Sequence, residues 1–223
     1  MSILYIVSSL LLGYFIGSIP IALVLGKTFR GIDIREHGSK NLGATNAGRV
    51  LGKKYFYIVT ILDAIKCIFG MLASYLLYLI FFNSLSMDIY TAGISIAGTF
   101  AMIGHCYPIF ANFRGGKGVA TALGYLMFTS PISGLLVVIT FIIIVKIKKY
   151  VSLGSILGSI IAIIYTWLMF FIFKTNYSLM GFGLELNIWY SIVTTIFALT
   201  VIFKHKENIK RLINHTENKV NFL

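Results

Sequence analysis

Three polar clusters interrupt an otherwise apolar chain, and their residue types suit them to hold anions. The first runs from Arg35 to Arg49 and reads Arg-Glu-His-Gly-Ser-Lys-Asn-Leu-Gly-Ala-Thr-Asn-Ala-Gly-Arg. Glycine at 38, 43 and 48 lets the backbone reach unusual φ/ψ, so several N–H groups can converge on one point. Ser39, Asn41, Thr45 and Asn46 add side-chain donors, and the flanking arginines suit a planar, bidentate grip on phosphate. A basic loop that merely stays on the cytoplasmic side of a membrane would have a similar composition.

The second cluster is Asn112-Phe113-Arg114-Gly115-Gly116-Lys117-Gly118-Val119-Ala120-Thr121. It is not a Walker A motif, because no Ser or Thr follows Lys117 and position 111 is Ala. The physics is shared: glycines expose N–H groups, a lysine supplies a point charge, and a helix starts at once. The third cluster, from His205, carries Asn208, Arg211 and Glu217 around a short amphipathic stripe of Ile209, Leu212 and Ile213.

The elements that must position these clusters are membrane helices. The chain of 223 residues is 58% hydrophobic and only 12% charged, far from the composition of a soluble domain. Its apolar runs are long and unbroken, which selects helices over a barrel. The first run lacks a basic leader and a small-residue cleavage site, and is expected to be a retained helix. Expected spans are Ile3–Leu25, bent near Gly17-Ser18-Ile19-Pro20, then Tyr55–Phe82, Ile89–Ile103, Val119–Phe128, Ile132–Val145, Val151–Phe173 and Leu186–Phe203. Two of the seven, Val119–Phe128 and Ile132–Val145, are short of the roughly 20 residues of a full crossing. Asp63 and Lys66 share one face of the second span. They form either a salt bridge with a snorkelling lysine or a pair that props a site.

Charge decides the topology. Seven basic residues lie in the first connection (Lys27, Arg30, Arg35, Lys40, Arg49, Lys53, Lys54), two in the second (Arg114, Lys117), three in the third (Lys146, Lys148, Lys149) and five in the tail (Lys204, Lys206, Lys210, Arg211, Lys219). Seven spans put 17 of the 19 on one side, leaving Lys66 and Lys174. The positive-inside rule then predicts the N-terminus outside and the tail in the cytoplasm, with all three clusters facing the cytoplasm and able to share one site. Basic charge placed this way is a topology signal, so the net charge of +12 does not point to nucleic acid. Cys67 and Cys106 match no metal-binding spacing, and neither a metal nor a cofactor is expected.

Together the clusters resemble one family, the membrane-bound acyl-phosphate:glycerol-3-phosphate acyltransferases of bacteria (PlsY). Gly38, Ser39, Asn41, Gly43, Ala44, Thr45, Asn46 and Arg49 are similar to its first motif, and Gly115 to Thr121, preceded by Gly104, His105 and Pro108, to its second. His205, Asn208, Ile209, Arg211 and Leu212, followed by Glu217, resemble its third. Gly17–Pro20 and the Asp63–Lys66 pair also fit. Three positions depart from the family pattern: Lys40, Cys67 and His215 each stand where glycine is usual.

The resemblance implies a single integral-membrane acyltransferase domain over residues 1–223 in the bacterial cytoplasmic membrane. Its partners would be acyl phosphate, glycerol 3-phosphate, membrane lipid and the enzyme that supplies acyl phosphate. The implied product is 1-acyl-glycerol 3-phosphate, the first acylation of phospholipid synthesis. Ser39, Arg49, Lys117 and His205 are the expected catalytic residues; Asn41, Gly43, Thr45, Asn46, Gly115, Gly116, Gly118, Thr121, Asn208 and Arg211 are the expected substrate-binding ones. No histidine has an acid five positions on (Leu42, Phe110, Lys210 and Val220 stand there), so a His-x-x-x-x-Asp base is absent. The alternative class is a transporter of phosphate esters or other anions, which would place polar groups at mid-membrane.

Overall fold

The structure, a computed structural model, describes residues 1–173, 177–178, 185–186 and 188–220. The helices are α1 (Ser2–Gly17), α2 (Ile21–Arg30), α3 (Ala44–Leu51), α4 (Lys53–Leu77), α5 (Met87–Cys106), α6 (Val119–Thr129), α7 (Pro131–Lys148), α8 (Val151–Phe173), α9 (Ile188–Lys204) and α10 (Lys206–Ile213). Between α8 and α9 lies the one departure from all-α among the described residues. There β1 (Tyr177–Ser178) pairs antiparallel with β2 (Glu185–Leu186), Tyr177 facing Leu186. Lys174 lies outside the described residues.

Five helical stretches are long and apolar enough to cross a membrane: Ser2–Arg30, Lys53–Phe82, Met87–Ala111, Pro131–Lys148 and Val151–Ile172. Val119–Thr129 and Tyr190–Lys204 are shorter apolar helices. The apolar runs of the sequence reappear as helices, with the last one beginning at Ile188 instead of Leu186, and Ile132–Val145, expected to be short, lies within an 18-residue helix long enough to cross. The reason is that α7 continues past its apolar stretch through Lys146 and Lys148, whose long stems suit a membrane boundary.

The chain divides into two compact units, Met1–Tyr125 and Leu126–Leu223. In the first, α1 packs between α4 and α5 through small residues. A Cβ on Gly13 or Gly17 would run into the backbone of Ala97 or Ala101, so the helices approach as closely as small-residue interfaces in membranes permit. The first span is broken where a bend was expected: α1 ends at Gly17 and α2 restarts after Pro20, whose ring and missing N–H end the ladder. Under the first polar cluster, Leu23, Ile34, Leu42, Ala47, Leu51 and Val59 form a small buried core. In the second unit α8 packs against both α7 and α9, and α10 against α8 and α9.

Candidate active site

The first polar cluster is only half a loop. Ala47 and Leu51 are buried four residues apart, and that spacing winds the segment from Ala44 into α3, with Gly43 extended before it. Thr45, Asn46 and Arg49 therefore stand on a helix, while Ser39 and Asn41 lie on the preceding loop. That helical spacing was present in the sequence, hidden by the glycines.

Asn46 shapes this loop from beneath. It is 1% exposed; its Oδ1 accepts from Ser39 N–H at 2.8 Å, and its Nδ2 donates to the carbonyls of Ile34 (3.0 Å) and His37 (3.1 Å). Asn46, expected to bind substrate, is thus hydrogen-bonded within the loop and braces the exposed Ser39. Arg35 is committed likewise. Its Nε donates to both carboxylate oxygens of Asp33, at 2.9 and 3.2 Å, and its Nη1 to the Ala111 carbonyl at 3.2 Å. Of the two flanking arginines, Arg35 thus ties the first cluster to the start of the second, whereas Arg49 is exposed on α3. The guanidinium beside Asp33 holds its carboxyl down at about 2.

Lys40 adopts φ +57, and His215 in the tail φ +58. Both departures from a usual glycine thus fall in the left-handed region, where glycine is favoured because it has no Cβ. The Lys40 side chain is exposed, and its N–H donates to the His37 carbonyl at 3.0 Å. Cys67, the third departure, is fully buried and points its Sγ at the Gly98 carbonyl at 3.7 Å.

In the second cluster the glycines are demanded by packing. A Cβ on Gly116 would enter the His105 ring, and one on Gly118, at φ +83, would lie 2.5 Å from the Met102 methyl. Gly116 N–H donates to the His105 carbonyl at 3.0 Å, so the expected set of anion-facing N–H groups loses that one. Lys117 sits half-buried between these two glycines, immediately ahead of α6. Thr121 is buried and returns its hydroxyl to the Gly118 carbonyl at 3.0 Å, closing the turn.

Beneath lies the Asp63–Lys66 pair at 2.8 Å, both side chains about as buried as the core. Lys66 Nζ donates to the Ile19 carbonyl at 2.8 Å, satisfying a backbone group left open by the helix break. His105 Nδ1 stands 3.4 Å from Asp63 Oδ1.

The third cluster belongs to the second unit and centres on Glu217, whose side chain is 5% exposed. Its carboxylate accepts from Asn208 Nδ2 (2.7 Å), Arg211 Nε (2.7 Å) and Ser152 Oγ (2.9 Å). Burial pushes this carboxyl up, but the three donors together outweigh it and hold it below the usual range. Ser152, on α8, carried no sequence signal because it sits in an apolar run. His205 Nδ1 lies 2.8 Å from the Val201 carbonyl, which selects the Nδ1–H tautomer in the neutral ring and makes Nε2 the acceptor. Among the described residues no three His, Cys, Asp or Glu gather as a metal site would need.

Fold and site define a multi-pass α-helical membrane protein with glycine-bounded polar segments at its helix ends. Its relatives narrow the class. The profile described as glycerol-3-phosphate acyltransferase matches residues 7–215. The glycerol-3-phosphate acyltransferase of Bacillus subtilis (strain 168) is 44% identical over 214 residues, 96% of this chain and 97% of the relative. That of Fusobacterium nucleatum is 40% identical over 213 residues, 96% and 97% of the two chains. The crystal structure of PlsY, an integral membrane glycerol 3-phosphate acyltransferase, superposes in its glycerol 3-phosphate form with a TM-score of 0.78 at 31% identity, covering 96% of this chain and 95% of that one. Its lysophosphatidic acid form gives 0.76 at 30%, over 97% and 95%. The chain belongs to the glycerol-3-phosphate acyltransferase family.

Proposed function

We propose that this protein transfers a fatty acyl group from acyl phosphate to glycerol 3-phosphate, giving 1-acyl-glycerol 3-phosphate and inorganic phosphate. The observation that carries most weight is the whole-chain similarity to a structure solved in glycerol 3-phosphate and lysophosphatidic acid forms, a substrate and product of this acylation. Seven crossings in the bacterial cytoplasmic membrane, N-terminus outside, would put all three clusters on the cytoplasmic face, as the basic residues favour.

In the proposed reaction a glycerol hydroxyl attacks the acyl carbonyl carbon. The bond between that carbon and the bridging oxygen breaks, phosphate leaves with the bridging oxygen, and the hydroxyl proton passes to a phosphate oxygen. Acyl phosphate is already activated, so alignment and charge stabilisation do most of the work. Ser39, Asn41, Thr45 and Arg49 would hold the donor head, with Gly43 letting α3 offer its first N–H groups to the anion. Lys117 would hold a second phosphate within the turn formed by Gly115, Gly116, Gly118 and Thr121. His205, Asn208 and Arg211 would orient glycerol 3-phosphate. In this reading Asn46 and Glu217 support their neighbours and do not touch substrate.

The purified full chain, given glycerol 3-phosphate with acyl phosphate, acyl-coenzyme A or acyl-carrier protein in parallel, should form lysophosphatidate from acyl phosphate alone. Product from a thioester instead would overturn the donor, and no product from any donor would overturn the enzyme reading. Lys117→Ala should lose most activity while remaining folded.

A further inference from the structure

The second polar turn has a foundation that the proposed reaction does not use. Asp63, Lys66 and His105 are 2%, 4% and 6% exposed, and three buried ionisable groups within one membrane helix pair are costly unless they serve a site. Lys66 neutralises Asp63 at 2.8 Å. The Asp63 carboxylate faces His105 Nδ1 at 3.4 Å. The opposite edge of the same ring, at Nε2, is what a Cβ on Gly116 would strike, and the His105 carbonyl accepts Gly116 N–H at 3.0 Å. Ring and carbonyl of one residue therefore bear on the residue directly before Lys117.

The geometry points to Asp63 as a positioning residue that orients the His105 ring, with Lys66 as its counter-ion, so that the ring forms the floor setting where Lys117 stands. A carboxylate that fixes an imidazole, which in turn fixes a functional group, follows the logic of outer-shell partners at metal sites. A salt bridge serving only the bundle would need no third member. A packing histidine alone would need no carboxylate at its far nitrogen. The role lies beyond the substrate contacts proposed above, but it rests on the reading of Lys117 as a phosphate-binding residue.

The test uses the full chain and reads kcat/KM for glycerol 3-phosphate beside folding by size-exclusion chromatography. The Asp63→Leu/Lys66→Met double variant removes both charges at once and so leaves no orphan ion; such replacements of buried pairs are often neutral for stability. It should fold and yet lose about tenfold in kcat/KM, within the range of outer-shell losses. His105→Asn, which leaves the ion pair intact, should lose a similar factor. Adding Lys117→Arg to the double variant should cost no more than the worse of the two alone, because both act through the position of one ammonium group. Wild-type kcat/KM in the folded double variant overturns the proposal, as do losses that simply multiply. Failure of both the double variant and His105→Asn to fold also overturns it, since the network would then serve the bundle. Full activity in Lys117→Ala would instead remove the reading on which the proposal rests, whatever Asp63 does.

Discussion

The polar clusters of the two units are held in place by different physics. In the first unit, Ser39 and Lys117 rest on an amide strut at Asn46, on glycines pressed against His105 and Met102, and on a buried, self-neutralised Asp63–Lys66 pair, with no single charge gathering the donors. In the second, a single carboxylate, Glu217, gathers Asn208, Arg211 and Ser152. Steric support tolerates changes of pH and salt but no added atoms. Support by one charge tolerates added atoms at its edges but not the loss of its proton balance.

The contrast can be broken most severely at Gly116. Gly116→Ala drives a methyl into the His105 ring and should lower activity at least about a hundredfold, since misplacing a catalytic group by about 1 Å can cost that much. An assay showing near-normal turnover would end the steric account. Glu217→Ala comes next. It removes the acceptor that Asn208, Arg211 and Ser152 share and should lower activity about tenfold or more, whereas Glu217→Gln, which keeps an acceptor, should retain more. Equal losses in both variants would show that charge is irrelevant there.

Asn46→Ala orphans Ser39 N–H and takes one of two donors from each of the Ile34 and His37 carbonyls, and should destabilise the first unit by roughly 1–3 kcal/mol, read as a lower unfolding midpoint in detergent. Acid should separate the two regions. Glu217 has its carboxyl pKa lowered by folding, so its contribution is complete above the ordinary value of 4.5 and fades as pH falls through the folded pKa. Hydrogen exchange at Val220 N–H, which donates to the Lys149 carbonyl, should therefore speed up below that pH before exchange around Asn46 does. The Asp33–Arg35 tie, with its carboxyl at about 2, should persist until the pH falls to about that value. The smallest effect is at Lys40. Lys40→Gly removes a side chain from a left-handed residue and should stabilise the chain by at most about 1 kcal/mol.

Much of this arrangement was legible without coordinates, for reasons visible at particular residues. Membrane helices follow from run length and composition, because hydrocarbon leaves the backbone no partner but itself. The three clusters stand out because polar residues are rare in such a chain, and Lys40 and His215 marked themselves by lacking the usual glycine. Helix α3 stayed hidden because its glycines and polar residues read as a loop although Ala47 and Leu51 stand at helical spacing, and α7 ran longer than its apolar residues because lysine stems extend a span.

The sequence by itself determined the class, the family and the identity of the polar groups, since these depend on residue type and order along the chain. Only the tertiary structure decided which groups are supports. Asn46 and Arg35 turned inward to Ser39, Ile34, Asp33 and Ala111, and Ser152 joined Glu217 from 65 residues away. Hydrogen bonds are short-ranged and directional, so the same amide or guanidinium becomes ligand or strut according to what the fold brings within about 3 Å of it.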